Sequence, residues 1–317
     1  MDIRRITVLG AGTMGHGIAH AAIAAGYETR LFDVAPAALQ KAGAAIDAVI
    51  SKGVELGKVQ AADSDAMRRR LATTSSIEEA LADAEFVIEA APERIDLKLA
   101  LMADIDRLAP AAAIIATNTS ALSITEMAGA VRQPSRVAGM HFFNPVHKMK
   151  LIEIVQALES SPETLQAIEE VSRRMQKETV LVRESPGFIT TRVNASLGNE
   201  AFYMLMEGVA SARDIDKALK LGLNHPMGPF ELVDLVGLDT RLSILEYLHR
   251  SLGEKYRPCP LLAQYVGSLP SPTGVSRWTS SSASPSPDVN GSRERENSAA
   301  EAPRTPRLVQ DALADRR

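Results

Sequence analysis

Cysteine and tryptophan occur once each in the chain, as Cys259 and Trp278. One thiol cannot close an internal disulfide, and it excludes a multi-cysteine zinc site. So little cysteine suits a reducing compartment, and a cytoplasmic protein is expected. No stretch approaches the roughly 18 uncharged apolar residues that a membrane span needs. The start, Met1 to Leu9, is broken by charge where a signal peptide would carry its apolar core. Charge of either sign is not in excess, with a formal net charge of −4. Neither a nucleic-acid footprint nor an anionic-membrane patch is therefore expected. No internal repeat is visible.

The chain has 317 residues, 45% hydrophobic and 23% charged. That is a globular composition, enough for about two domains. The averages hide a break. Gly267 to Arg317 holds ten serines and six prolines but no Lys, Ile, Phe, Tyr, Met, His or Cys. Such a segment cannot bury enough apolar surface to offset its ordering entropy, so residues 267–317 are expected to be a disordered tail.

Ile6–Leu9 is a short β-branched run ending in glycine, as a buried parallel strand reads. Further strands are expected at 27–32, 86–88, 114–116, 137–140 and 151–155. Helical stretches lie between them at 15–25, from Pro36 to about Val54, and at 93–108. The polar stretch 54–70, with arginines at 68, 69 and 70, reads as a solvated helical arm. Alternating strands and helices predict an α/β fold with a doubly wound parallel sheet of Rossmann type. After Ser185-Pro186-Gly187 the pattern is helical to about Leu252. The expected domains are thus a cofactor domain over 1–184 and a smaller all-helical domain over 185–266.

Gly10-Ala11-Gly12-Thr13-Met14-Gly15 matches G-x-G-x-x-G directly after a strand and at the start of a helix. Asp33 ends the next strand, 23 residues after Gly10. That context is the dinucleotide fingerprint. Gly10 permits the tight turn, Gly12 the approach of a pyrophosphate, and Gly15 the close packing of helix on sheet. The helix N-terminus presents unpaired N–H groups to the phosphates. Asp33 can accept from ribose hydroxyls and repels a 2′-phosphate, which selects NAD. Dehydrogenases, FAD enzymes and NAD-sensing regulators share such a fingerprint, so it leaves the reaction open.

His141 follows the strand VAGM, at the sheet edge where α/β proteins bind ligands. Twelve residues on, Glu153 interrupts the apolar run LIEIV. A carboxylate inside a buried strand is costly unless paired. A His141–Glu153 pair would keep one imidazole nitrogen protonated and free the other to take a proton. Asn118-Thr119-Ser120 also follows a strand, and reads equally as a functional loop or as a helix cap. His16 and His20, at i and i+4, lack the intervening Glu of a zinc helix. No metal site is expected.

Together these residues resemble the 3-hydroxyacyl-CoA dehydrogenase family, in its 3-hydroxybutyryl-CoA type. The likeness rests on GAGTMG with Asp33, on Glu89-Ala90-Ala91-Pro92-Glu93, on Asn118-Thr119-Ser120 and on His141-Phe142-Phe143-Asn144-Pro145. It rests also on Ser185-Pro186-Gly187-Phe188-Ile189 and on His225-Pro226-Met227-Gly228-Pro229-Phe230-Glu231-Leu232. The resemblance implies reversible oxidation of a (3S)-3-hydroxyacyl-CoA to a 3-oxoacyl-CoA with NAD, by a homodimer. His141 would be the general base and Glu153 its orienting partner. Ser120 and Asn144 would position the substrate or the nicotinamide end. Gly10, Gly12, Thr13, Met14, Gly15, Asp33, Glu93 and Lys98 would meet the cofactor. Lys52 and Lys58 would meet the coenzyme A tail.

Two departures stand out. Thr191 occupies the place of a substrate-binding Asn common in the family, with Asn194 one helical step further. The Ser/Pro/Arg tail stands where relatives carry a basic, glycine-rich run, and the abrupt composition step reads as a reading-frame change. It keeps an alternative open: a non-catalytic or tail-inactivated relative that binds NAD or acyl-CoA. Related two-domain dehydrogenases that use a helical-domain lysine fit less well, since Lys217 and Lys220 lie in a charged stretch.

Overall fold

A computed structural model describes residues 2–267. Gly267 closes the last helix, and the remainder of the expected tail, 268–317, lies outside the described residues. The chain divides into two compact units, the first ending at Thr191 and the second starting at Arg192.

The first unit is built on strands β1 (Arg5–Leu9), β2 (Glu28–Phe32), β3 (Leu71–Thr74), β4 (Phe86–Glu89), β5 (Ile114–Thr117), β6 (Val137–Phe142), β7 (Leu151–Gln156) and β8 (Glu178–Arg183). They form one sheet in the order β3-β2-β1-β4-β5-β6-β7-β8. Its helices are α1 (Thr13–Ala24), α2 (Pro36–Glu55), α3 (Ala61–Arg69), α4 (Ile77–Leu81), α5 (Ile95–Leu108), α6 (Ile124–Ala128) and α7 (Pro162–Arg174). Val8, Phe86, Ile88 and Ala116 join one core, and Leu9, Val87 and Ile115 the other. Both faces of the strands are thus covered, which is why Phe86–Ile88, Ile114–Ala116 and Val137–Met140 read as apolar runs.

Three features differ from the sequence reading. The edge strands β3 and β8 were not foreseen. β3 is four residues long, and β8 buries only Val182, so neither shows a clear apolar pattern. β7 runs antiparallel to β6 in an otherwise parallel sheet. The residues between Phe142 and Leu151 are too few for the crossover that a parallel neighbour requires. The polar stretch after α2 is also no free arm: Met67 of α3 is buried in the same core as Ile46 and Ile50 of α2, and Arg68 bonds Asp47 and Ser51.

Ion pairs gather at the amino ends of the strands. Arg5 pairs with Glu85 at 2.6 Å, and the buried Arg136 donates to Asp106, which also accepts from Arg132 at 2.7 Å.

The second unit is helical: α8 (Thr190–Met206, entering from the first unit), α9 (Ala212–Leu223), α10 (Pro229–Val236), α11 (Leu238–Leu252) and α12 (Pro260–Gly267). Phe202, Phe230, Leu245, Leu248 and Cys259 lie in its core. The run Gly228-Pro229-Phe230-Glu231 has a local cause. Asp216 is buried on α9 and accepts from the N–H groups of Phe230 (2.9 Å) and Glu231 (3.0 Å), capping α10. Any Cβ at 228 would sit 2.2 Å from the Asp216 carboxyl carbon, so glycine is required there. Pro229 suits the first turn, where no N–H partner is needed. Asp216→Ala strands two N–H groups and is expected to cost about 1–3 kcal/mol. The check is urea unfolding of the full chain, with Asp216→Asn, which keeps one acceptor, losing less.

Candidate active site

The crevice of a doubly wound sheet opens at the carboxyl ends of its strands, where order reverses beside β1. Gly10 follows β1 with φ 103°, and a Cβ at 15 would meet the Gly10 carbonyl oxygen at 1.7 Å. The turn therefore forms only with glycine at both ends. At Gly12, by contrast, a Cβ would meet no protein atom within 4 Å. The space over that backbone is open, and Gly12 caps α1 with no side-chain hydrogen bond, leaving the first N–H groups of α1 to a ligand. Asp33 follows β2 and is fixed by two backbone donors, Ala11 N to Oδ2 (2.8 Å) and Ala35 N to Oδ1 (2.9 Å). A glycine cradle with room above it, a bare helix start and a fixed carboxylate fit the pyrophosphate and ribose of NAD. Thr13 and Met14 begin α1 beside this cradle.

A second group lies at the ends of β4 and β5. Glu89 has no exposed surface and accepts from Lys98 Nζ (2.7 and 2.9 Å), Ala91 N (2.7 Å) and Thr117 Oγ1 (2.6 Å). Lys98 is 1% exposed, donates also to the Ala91 carbonyl, and lies 3.5 Å from Glu93. Glu93 in turn accepts from Thr119 Oγ1 (2.6 Å) and Ser120 N (2.9 Å). Lys98 is thus enclosed by carboxylates, and Glu93 is the member that reaches the surface. The Asn118–Ser120 loop serves both as cap and as site wall: Thr119 Oγ1 accepts from Leu122 N at 3.1 Å, while Asn118 Oδ1 accepts from Phe142 N at 2.9 Å. The Ser120 hydroxyl has no protein partner among the described residues. Glu89 escaped the sequence reading as a site residue. Its signal was present: a carboxylate closing the apolar strand FVIE carries the same cost as Glu153.

The third group sits on β6 and β7. Their antiparallel register sets His141 directly opposite Glu153. Nδ1 of His141 lies 2.7 Å from Glu153 Oε2. Glu153 has no exposed surface and also accepts from Thr190 N (2.9 Å) and Thr190 Oγ1 (3.2 Å). Burial works to raise the Glu153 pKa, but the bonds from His141 and Thr190 outweigh it and hold the carboxyl below its usual 4.5. An ionised carboxylate only accepts, so Nδ1 carries a proton, and in the neutral ring Nε2 is the nitrogen that presents a lone pair. Phe143 and Phe188 flank the imidazole at 4.6 and 5.8 Å. Phe188 adopts φ 51°, rare for a bulky residue. The preceding Gly187, at φ 73°, begins this left-handed turn.

Asn144 and Thr191 carry side chains with no partner among the described residues; Asn144 is exposed and Thr191 half-buried. Lys52 and Lys58 are exposed, and Lys52 pairs with Glu55 at 2.9 Å. No hydrogen bond among the described residues ties these four to the His141 pair or to the Glu89 group. Lys177 was also missed by sequence: its ammonium donates to the carbonyls of Val146 and Met149, pinning the loop that follows Asn144.

The sequence profile of the 3-hydroxyacyl-CoA dehydrogenase NAD-binding domain matches residues 5–185, and that of the family's C-terminal domain matches 187–271. The chain belongs to the 3-hydroxyacyl-CoA dehydrogenase family. It is an oxidoreductase whose cofactor is NAD. A probable 3-hydroxybutyryl-CoA dehydrogenase of Bacillus subtilis is 44% identical over 267 residues, which cover 84% of this chain and 93% of that protein. The 3-hydroxybutyryl-CoA dehydrogenase of Clostridioides difficile is 40% identical, over 83% of this chain and 93% of its own length. Among solved structures, the (S)-3-hydroxybutyryl-CoA dehydrogenase of Ralstonia eutropha superposes with a TM-score of 0.80 at 39% identity, over 84% of this chain and 94% of that one. None of the described helices is long and apolar enough to cross a membrane.

One titrating group of this dehydrogenase lies further along α1. His20 on α1 is largely buried with its Nδ1 unpaired, its ring 6.4 Å from that of His147. Burial above all, then His147, Lys177 and His16, push its pKa from 6.5 down to about 4. A histidine whose pKa falls on folding binds more protons unfolded, so stability is full above about pH 6.5 and declines toward about pH 4. His20→Asn is expected to flatten that decline, read as Tm from pH 7 to 4 beside the parent protein; parallel curves would reject it.

Proposed function

We propose that this protein catalyses the reversible oxidation of a (3S)-3-hydroxyacyl-CoA to the 3-oxoacyl-CoA, with 3-hydroxybutyryl-CoA and acetoacetyl-CoA as the working pair. The buried His141–Glu153 contact of 2.7 Å carries this reading. Bound NAD supplies the hydride acceptor. His141 Nε2 takes the proton of the 3-hydroxyl as C3 is oxidised and returns it in the reverse direction. Glu153 holds the ring in the tautomer that can do this, and its negative charge favours the imidazolium that forms. The two phenyl rings keep water from the imidazole.

Ser120 and Asn144, with side chains otherwise unpartnered, align the substrate hydroxyl, the thioester or the nicotinamide end. Glu93 meets the cofactor and Lys98 fixes Glu93 from behind. Thr191 takes the part of the usual Asn with a shorter group that can still donate and accept. The exposed Lys52 and Lys58 offer positive charge to the phosphates of coenzyme A. The partition into a cofactor domain over 1–184 and a helical, homodimer-forming domain over 185–266, in a cytoplasmic enzyme, completes the reading.

The test is oxidation of NADH by acetoacetyl-CoA, followed by absorbance. Turnover is expected in the full chain, and His141→Ala is expected to lower kcat by about 10²–10⁴-fold with NADH binding retained. Binding of NADH without turnover in the parent protein would overturn the proposal, and an unchanged rate in His141→Ala would remove the histidine from it. Thr191→Ala is expected to raise KM for acetoacetyl-CoA more than it lowers kcat.

A further inference from the structure

Arginine is almost never buried without an acceptor, because an unpaired charge away from water is costly. Arg136 obeys the rule: it is 6% exposed and bonded to Asp106. Arg241 on α11 does not. It is 4% exposed, yet no carboxylate, carbonyl or hydroxyl among the described residues accepts from it. Its Nε is sealed from solvent with no partner. Nothing of opposite charge offsets that burial, which alone pulls the guanidinium down from 12.5 to about 10.

The geometry says which way the group faces. A Cβ built on Gly198 of α8 would lie 3.6, 3.7 and 3.8 Å from Cζ, Nε and Nη1. Near-equal distances to three atoms of one plane put the guanidinium flat over the α8 backbone at Gly198. One face is thereby covered, and the edge that carries the N–H donors is left without acceptors. The terminal nitrogens, unlike Nε, are not sealed. The forked donors of the guanidinium match two oxygens of a planar or tetrahedral oxyanion. An exposure of 4% is too little for a folded partner's face to rest on, so the acceptor is a small solute.

We infer that Arg241 forms the floor of an oxyanion site between α8 and α11, taking phosphate or a small carboxylate. Filling it supplies the missing counter-charge and ties the two helices together, so the anion stabilises the helical unit.

The experiment is thermal unfolding of the full chain with NADH saturating, so that the glycine cradle is filled. Inorganic phosphate and, separately, acetate replace chloride at constant ionic strength. A saturating rise in Tm of roughly 2 °C or more is expected for the parent protein, with none for Arg241→Leu. A response to phosphate alone, or to acetate alone, supports the site and identifies which oxyanion it takes. In chloride Arg241→Leu should melt no lower than the parent, since a buried unpaired charge has been removed. No response of the parent to either anion overturns the site. An equal rise in both proteins means an adventitious ion only, and overturns it too. A Tm that follows protein concentration instead of anion assigns Arg241 to contact between copies and likewise overturns the site. Should Arg241→Leu fail to fold, the phosphorus-31 line of inorganic phosphate decides. Broadening by the parent that Arg241→Lys reduces supports the site, and an unbroadened line rejects it.

Discussion

A carboxylate with no exposed surface must find every hydrogen bond inside the protein. Glu153 is such a group, and the first unit is arranged around supplying it. Its partners come from β6, through His141, and from the start of α8, through Thr190. His141 meets it because the antiparallel register of β6 and β7 sets residue 141 against residue 153. The short connection after Phe142 is what forces that reversal. The lone reversed pair of the sheet is thus the condition for an imidazole to be oriented at the mouth of the crevice.

The same device recurs at Glu89. Both carboxylates lie in strands of a sheet covered on both sides, both are wholly shielded, and both hold a group that faces the crevice from a strand's end. Glu153 orients an imidazole; Glu89, through Lys98 and Glu93, holds the backbone of Ser120. Charges set so deep are expensive in an apolar core, and their cost is met by saturation with donors. A fully bonded group has few alternative positions, and a reaction that transfers a proton over hydrogen-bond distance needs that precision.

Much of this was legible in the sequence, for reasons that can be named. The glycine cradle shows because its steric demands admit no other residue at 10 and 15. The His141–Glu153 pair shows because a charge inside LIEIV contradicts its surroundings and calls for a partner. The helical second unit shows in its periodicity. What escaped was of two kinds. β3 and β8 are edge strands with few buried residues, and strand patterns are written by burial. Lys177 spends its ammonium on two backbone carbonyls and Arg241 lies beside the bare Gly198, and such placements leave no trace in residue identity. Glu89 belongs to neither kind; like Glu153, it is a charge set in an apolar strand, and it was as legible.

The sheet separates two sorts of polar chemistry by end. At the carboxyl ends lie groups with hydroxyl, amide and imidazole atoms left unpaired. At the amino ends lie ion pairs, Arg5 with Glu85 and Arg136 with Asp106. The strands between them carry the apolar residues of both cores. For a lineage drifting toward warmer or saltier surroundings, this polarity is an opportunity. Charges on the amino edge can be exchanged, added or removed while the far edge keeps its geometry, so adaptation of robustness and conservation of chemistry need not compete for the same positions.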